Sequence, residues 1–185
     1  MTMLPEFQLC LLGGWLPMVF LYLVFGLLLL LFPKAVVKRL YDRTGRPKRP
    51  GLRVPLVLVT LAYFALIVLS PLRTGTWMFY LGAVIYGLGF MGFVSALVSF
   101  RRTPADKPVT TGLYKVSRHP QQVMITLAFL GIVLATGSWL MLIFFILILP
   151  FVHLKVKAEE TACLTLYGDS YKQYMAQRPR YFVLF

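Results

Sequence analysis

Long apolar runs broken by short, strongly basic connections set the pattern of this chain. A helix needs about 20 apolar residues to cross roughly 30 Å of hydrocarbon. Gln8 to Phe32 meets that length, Val54 to Pro71 is a shorter second run with Pro55 near its start, and Trp77 to Phe100 is a third. The third run holds Gly82, Gly87, Gly89 and Gly92, small residues that let helix backbones approach closely. From Gln121 to Leu154 the chain is almost uncharged, and Thr136-Gly137-Ser138 interrupts it with turn chemistry. This predicts two helices in a tight hairpin, Gln121 to Ala135 and Trp139 to Leu154. Each is a little short for a full crossing, so the pair either spans obliquely or forms a deep re-entrant pair.

The pattern changes beyond Lys155. Val156, Ala162, Cys163, Leu166 and Tyr167 recur at a rough helical period, with Glu159 and Glu160 opposite part of that stripe. Gly168 is expected to break this helix, and Asp169 or Ser170 to cap a short one running to Gln177. Such a tail suits the membrane surface. The predicted fold class is therefore all-α: a polytopic membrane protein of about five transmembrane helices with a helical hairpin and a cytoplasmic C-terminal helix.

Composition strengthens this reading. Hydrophobic residues make up 59% of the 185 and charged residues 14%, against roughly 25% charged in ordinary soluble domains. Too few polar side chains remain to cover a water-facing surface. The net charge of +13 then points to anionic lipid headgroups rather than nucleic acid, because the cations flank the apolar runs. Lys34, Lys38, Arg39, Arg43, Arg46, Lys48, Arg49 and Arg53 fill one connection, and Arg101, Arg102, Lys107, Lys115 and Arg118 another. Lys155, Lys157, Lys172, Arg178 and Arg180 follow the hairpin, which leaves only Arg73 on the other side. The positive-inside rule puts the basic side in the cytoplasm. Five spans then place the N-terminus outside and the C-terminus inside. Residues 1–6 carry Glu6 and no cation, so a signal peptide is not expected. Cys10 and Cys163 lack metal or redox spacing and read as small apolar residues.

Two polar clusters stand out against this background. The first, GLYKVSRHP at residues 112–120, precedes the hairpin. Pro120 suits the first turn of a helix, which displays Arg118 and His119 at a positively polarised helix start. The second comprises His153, Lys155, Glu159 and Glu160, with Lys155 and Glu159 at i and i+4 and His153 and Glu160 two turns apart. Taken singly, each reads equally as membrane anchoring or surface pairing. The hairpin, however, starts and finishes at one depth, so Arg118-His119 should lie beside Lys155–Glu160. Carboxylates near hydrocarbon are costly unless paired or functional.

These residues resemble the isoprenylcysteine carboxyl methyltransferase and phospholipid methyltransferase family. Its pattern is G-x-Y-x-x-x-R-H-P, a hydrophobic hairpin, E-E-x-x-L, then F-G-x-x-Y-x-x-Y and a closing Pro-Arg. Gly112, Tyr114, Arg118, His119 and Pro120 fit the first element, Glu159 and Glu160 the second, and Tyr167, Gly168, Tyr171 and Tyr174 the third, over roughly residues 108–182. Departures are Gln122 and Met124 where Tyr and Gly are usual, Lys155 for a common Arg, and Leu164 one place later than the pattern.

The resemblance implies an integral-membrane enzyme that takes S-adenosylmethionine from the cytosol, releases S-adenosylhomocysteine, and receives a lipid or lipidated acceptor sideways from the bilayer. On this basis residues 1–107 are expected to be scaffold and residues 108–185 the cofactor-binding and catalytic half of a single membrane domain. Gly112, Tyr114, Arg118, His119, Pro120, Glu159 and Glu160 are expected at the cofactor, with Arg118 and His119 on its carboxylate. Gln122, His153, Lys155 and Tyr171 are expected at the acceptor, and Lys155, Glu159 and Glu160 in the chemistry, with no metal. A prenylcysteine carboxylate and a lipid amine both remain open as acceptor. So do an NADPH-dependent membrane reductase of similar helix arrangement and a non-catalytic membrane protein on this scaffold.

Overall fold

The computed structural model describes residues 11–42, 44–47 and 50–182. Glu6, Cys10, the start of the first predicted span at Gln8, and Arg43, Lys48 and Arg49 lie outside the described residues. Among the described residues seven α-helices follow in order: α1 (Trp15–Leu31), α2 (Lys34–Tyr41), α3 (Arg53–Leu69), α4 (Trp77–Arg102), α5 (Pro120–Thr136), α6 (Trp139–Tyr167) and α7 (Asp169–Gln177). Among the described residues there is no strand, only an isolated bridge between Gly13 and Pro71.

Helices α4 and α6 are long and apolar enough to cross a membrane, whereas α1, α3 and α5 are shorter apolar helices. Only 28% and 17% of the apolar windows of α4 and α6 are buried, far less than for core helices of a water-soluble domain. Leu30 and Leu31 are 83% and 70% exposed. A surface this apolar needs lipid around it: this is an integral membrane protein.

The five apolar helices alternate in direction. Gly14 N–H donates to Ser70 O at 2.8 Å, Leu72 N–H to Leu12 O at 2.8 Å, and Arg73 N–H to Ala135 O at 3.0 Å. These bonds gather the start of α1, the end of α3 and the end of α5 at one end of the bundle. The basic connections lie at the opposite end, where the Arg101 guanidinium stacks 5.3 Å from the Phe32 ring centroid.

The closest helix contact is the seam between α4 and α5. A Cβ added at Gly82 would lie 2.5 Å from Gly131 O, and one at Gly89 would strike the backbone of Ala128 and Met124. Gly92 meets the Met124 side chain instead. The methionine that departs from the family pattern is thus accommodated by a glycine on the facing helix. Gly87 takes no part, since nothing lies within 4 Å of its would-be Cβ.

The hairpin turn follows its residue chemistry. Gly137 adopts φ 62°, a left-handed conformation suited to a helix C-terminus. Its N–H reaches Val133 O at 3.1 Å, and Ser138 Oγ accepts from Met141 N to start α6.

Three local differences from the sequence expectations are physical. First, α6 does not stop at Leu154 but continues to Tyr167, with Pro150 inside it. The polarity change at Lys155 leaves backbone hydrogen bonding intact, and the next glycine is Gly168. Second, the basic connection contains α2, whose Val36, Val37 and Leu40 pack against the cluster of Phe32, Phe93 and Leu97. Third, Gly168, not Asp169 or Ser170, caps α7.

Candidate functional site

The site is built where α5 begins. Residues Gly112–Lys115 form a 3-10 turn. Gly112 has φ 59°, and a Cβ there would collide with Ser99 Oγ, so only glycine fits the turn against α4. Tyr114 is buried with Ala96 and Val109. Ser117 Oγ accepts from His119 N–H at 3.2 Å and donates to Arg180 O at 3.0 Å. Pro120 opens α5 at a position where its missing N–H leaves no intrahelical bond unmade.

The C-terminal half of α6 brings both carboxylates to this turn. Glu160 lies 3.2 Å from Arg118 Nη2, 2.9 Å from Arg180 Nη2 and 3.4 Å from His119 Nε2. Glu159 lies 3.2 Å from Arg46 Nη1 and 3.7 Å from His119 Nδ1. His119 therefore stands between two adjacent acids.

These groups sit beyond the apolar stretch of α6, which ends at Leu154. Burial opposes protonation of His119, yet the neighbouring carboxylates outweigh it and raise its pKa. Burial likewise disfavours charge on Glu160, but His119, Arg180 and Arg118 pull its pKa down to about 2. Glu159 is lowered too: His119, Lys155 and Arg46 overcome its desolvation.

Two cavities open here. A polar chamber of about 350 Å³ is bounded by Arg46, Tyr114, Arg118, His119, Glu159 and Tyr171, among others. An apolar groove of about 660 Å³ runs along α3, α5 and α6 past Leu56, Tyr63, Phe129, Phe145 and Leu149. Arg46, Gln122 and Lys155 line both. At that passage Lys155 Nζ donates to Gln122 Oε1 at 3.0 Å, joining α6 to α5. Each residue of this pair departs from the family pattern.

Most of the sequence-predicted site residues meet here, in unequal positions. Glu159 faces the chamber, whereas Glu160 sits behind the wall among its cations. Arg118 lines the chamber, but Nη2 pairs with Glu160 and Nη1 donates to Met175 O at 3.2 Å. Its Nε is a buried donor with no acceptor among the described residues. Gly112 and Pro120 shape backbone without lining the chamber. His153 stands apart, with Nδ1 2.9 Å from Tyr181 OH, and lines neither cavity. Tyr171 and Tyr174 of α7 close the chamber, and Tyr174 OH donates to Tyr114 O at 2.7 Å.

Three arginines were given no place at the site from the sequence. Arg46 holds Glu159. Arg180, in the closing Pro-Arg, chelates Glu160 and is the one with a motif to flag it. Arg39 donates to the carbonyls of Thr103, Pro104 and Lys107 and to Tyr167 OH, at 2.7–3.0 Å. The apolar spacing of Val36, Val37 and Leu40 is the signal that would have put Arg39 on a helix facing the site.

Comparison with known proteins finds the same segment. Residues 100–170 match the phospholipid methyltransferase family. Over 86 residues the chain is also 31% identical to the Protein-S-isoprenylcysteine O-methyltransferase of Schizosaccharomyces pombe (strain 972 / ATCC 24843), an alignment covering 46% of this chain and 36% of that protein. The chain thus spans little more than a third of the length of the curated relative it matches. No solved structure matches. Both matches agree with the family resemblance carried by the Arg-His-Pro, Glu-Glu and Tyr-Gly elements.

Proposed function

We propose that this protein is an integral-membrane methyltransferase that moves a methyl group from S-adenosylmethionine to a lipid-like acceptor, with its basic end in the cytoplasm. The observation that carries this reading is the meeting of a polar chamber and an apolar groove at Arg46, Gln122 and Lys155. A polar donor and a lipid acceptor each need a matching compartment, and transfer needs the two to touch.

The chamber volume falls in the usual range for small-molecule sites, roughly 300–1,000 Å³. Buried donors without partners among the described residues, at Arg118 Nε, Gln121 Nε2 and Arg46 Nε, fit the carboxylate and hydroxyl oxygens of such a cofactor. When bound, the cofactor supplies an electrophilic methyl group on a sulfonium. Of the two adjacent glutamates, Glu159 is the one that lines the chamber, where it offsets positive charge and accepts from amino or ribose hydroxyl groups. Glu160 acts indirectly, fixing Arg118 and His119. At the passage Lys155 holds an anionic part of the acceptor, such as a carboxylate or phosphate, and Gln122 orients the ammonium. Aligning the two reactants is the main catalytic contribution, and the groove keeps water from the transfer.

Calorimetry with S-adenosylhomocysteine in detergent tests the chamber. The wild type is expected to bind, and a His119→Ala, Glu159→Gln double variant to bind at least tenfold more weakly, roughly the loss of one charged hydrogen bond. Equal affinities would show the chamber to be misassigned. Incubation with labelled S-adenosylmethionine and total membrane lipid then defines the product: base releases label from a methyl ester and leaves an N-methyl group intact.

A further inference from the structure

The ion pairs of the two adjacent glutamates differ in how firmly they are held. The side chains of Glu160 and Arg118 are 5–6% exposed, and Arg180 gives Glu160 a second cation. Arg46 and Glu159 are each 24% exposed and pair through Nη1 at 3.2 Å. A buried pair resists separation because either partner alone is a stranded charge. A pair this open to water separates at small cost, and another ion can replace either member.

Local chemistry sets Arg46 over this acid. Thr44 N–H and Oγ1 donate to Asp42 Oδ1 at 2.9 and 2.6 Å, closing a turn after α2. Gly45 follows with φ 76°, and a Cβ there would lie 3.5 Å from Ala162 Cα. That contact lays the connection against α6, one helical turn past Glu159. Arg46 also lines both cavities. One guanidinium thus stands between the polar chamber and the apolar groove, paired to an acid that lines the chamber. Lys155 lines both cavities as well, but its partner is the neutral Gln122.

We propose that Arg46 and Glu159 form a charge-exchange couple: a cation bound in the chamber takes over Glu159, and the released Arg46 joins Lys155 on the anionic head of the acceptor. This rests on the chamber and the groove being the cofactor and acceptor sites of the proposed reaction. S-adenosylmethionine carries two cationic groups, a sulfonium and an ammonium, so it can displace a guanidinium from the acid. The exchange gives the reaction an order. Lys155 is available to the acceptor throughout, whereas Arg46 is available only beside a loaded chamber.

Hexadecyl phosphate and hexadecanol, which share a tail and differ in head charge, test this by calorimetry in non-ionic detergent. Without cofactor, Glu159→Gln leaves Arg46 free and is expected to tighten hexadecyl phosphate about fivefold, which is about 1 kcal/mol. The gain should vanish in the Glu159→Gln, Arg46→Gln double variant, because it needs the guanidinium and not only one negative charge fewer. Hexadecanol should show no gain. Sinefungin, in which an amine stands in place of the methylated sulfur, tests the exchange with both side chains present. It should tighten hexadecyl phosphate about fivefold in wild type and not in Arg46→Gln. By linkage, hexadecyl phosphate should tighten sinefungin by the same factor. No gain in Glu159→Gln, a gain that persists in the double variant, or sinefungin that binds without changing the phosphate's affinity overturns the proposal. Any of these with S-adenosylhomocysteine binding intact removes this inference alone. A cycle that holds while neither sinefungin nor S-adenosylhomocysteine binds removes the methyltransferase reading alone.

Discussion

The polar chamber and the apolar groove share three residues, yet their walls are held in different ways. The chamber wall is cross-linked by charge: Glu160 is bound by Arg118, Arg180 and His119, and the side chains of Glu160 and Arg118 are 6% and 5% exposed. The groove wall is held by aromatic packing of Tyr63, Phe64, Phe129 and Phe145. A charged wall has nearly fixed geometry, because moving any member strands a buried charge. An apolar wall tolerates rearrangement at small cost as long as volume is kept. A defined cofactor needs the first, and a flexible lipid tail can use the second.

The largest expected effect breaks the charged wall. Glu160→Ala leaves Arg118 buried without its carboxylate and is expected to destabilise the protein by about 3–5 kcal/mol, read as a fall in detergent melting temperature. Glu159→Ala, whose side chain is 24% exposed and faces the chamber, is expected to cost about 1 kcal/mol or less while weakening S-adenosylhomocysteine binding. Equal destabilisation by the two would erase the distinction between a structural and a chamber-facing acid.

The next effect lies at the passage. Lys155→Met is expected to raise KM for the lipid acceptor about tenfold, as for the loss of one charged hydrogen bond. The S-adenosylhomocysteine Kd should not change. A matched loss in both would show that the Lys155 ammonium serves the cofactor as well as the acceptor.

The smallest effect is that of pH. His119 has its folded pKa raised by Glu159 and Glu160 against burial. Its contribution to stability is therefore present in full below the ordinary histidine value, near 6.5, and is lost as pH rises through the raised value. The melting-temperature gap between wild type and His119→Gln should narrow with rising pH. A gap that widens would reverse the assigned protonation. Glu160 works in the opposite sense, its contribution being present above the ordinary carboxylate range and lost as pH falls through about 2.

What the sequence made legible follows from where local rules were sufficient. Thr136-Gly137-Ser138 has one turn chemistry, and the hairpin it closes fixes the depth of both polar clusters. The proximity of His119 to Glu159 and Glu160 follows from that geometry alone. The separate roles of the adjacent glutamates were not legible, because which acid meets the chamber depends on the rotation of α6 against α5. Arg46 was equally hidden, one cation among many in a basic connection. Arg39 was less so, because the apolar spacing of Val36, Val37 and Leu40 puts it on a helix, but its carbonyl partners appear only in the folded chain. The expected end of α6 at Leu154 failed because hydropathy marks where lipid ends, whereas a helix ends where backbone chemistry stops it, here at Gly168.

Arg39 gives this arrangement a practical consequence. The stretch that matches the family, residues 100–170, contains neither Arg39 and Arg46 before it nor Arg180 after it. Those side chains clasp three of its backbone carbonyls and both of its glutamates. The motif segment is therefore not a portable cassette: transplanted into another membrane scaffold, it would arrive with its signature intact and its clasps missing.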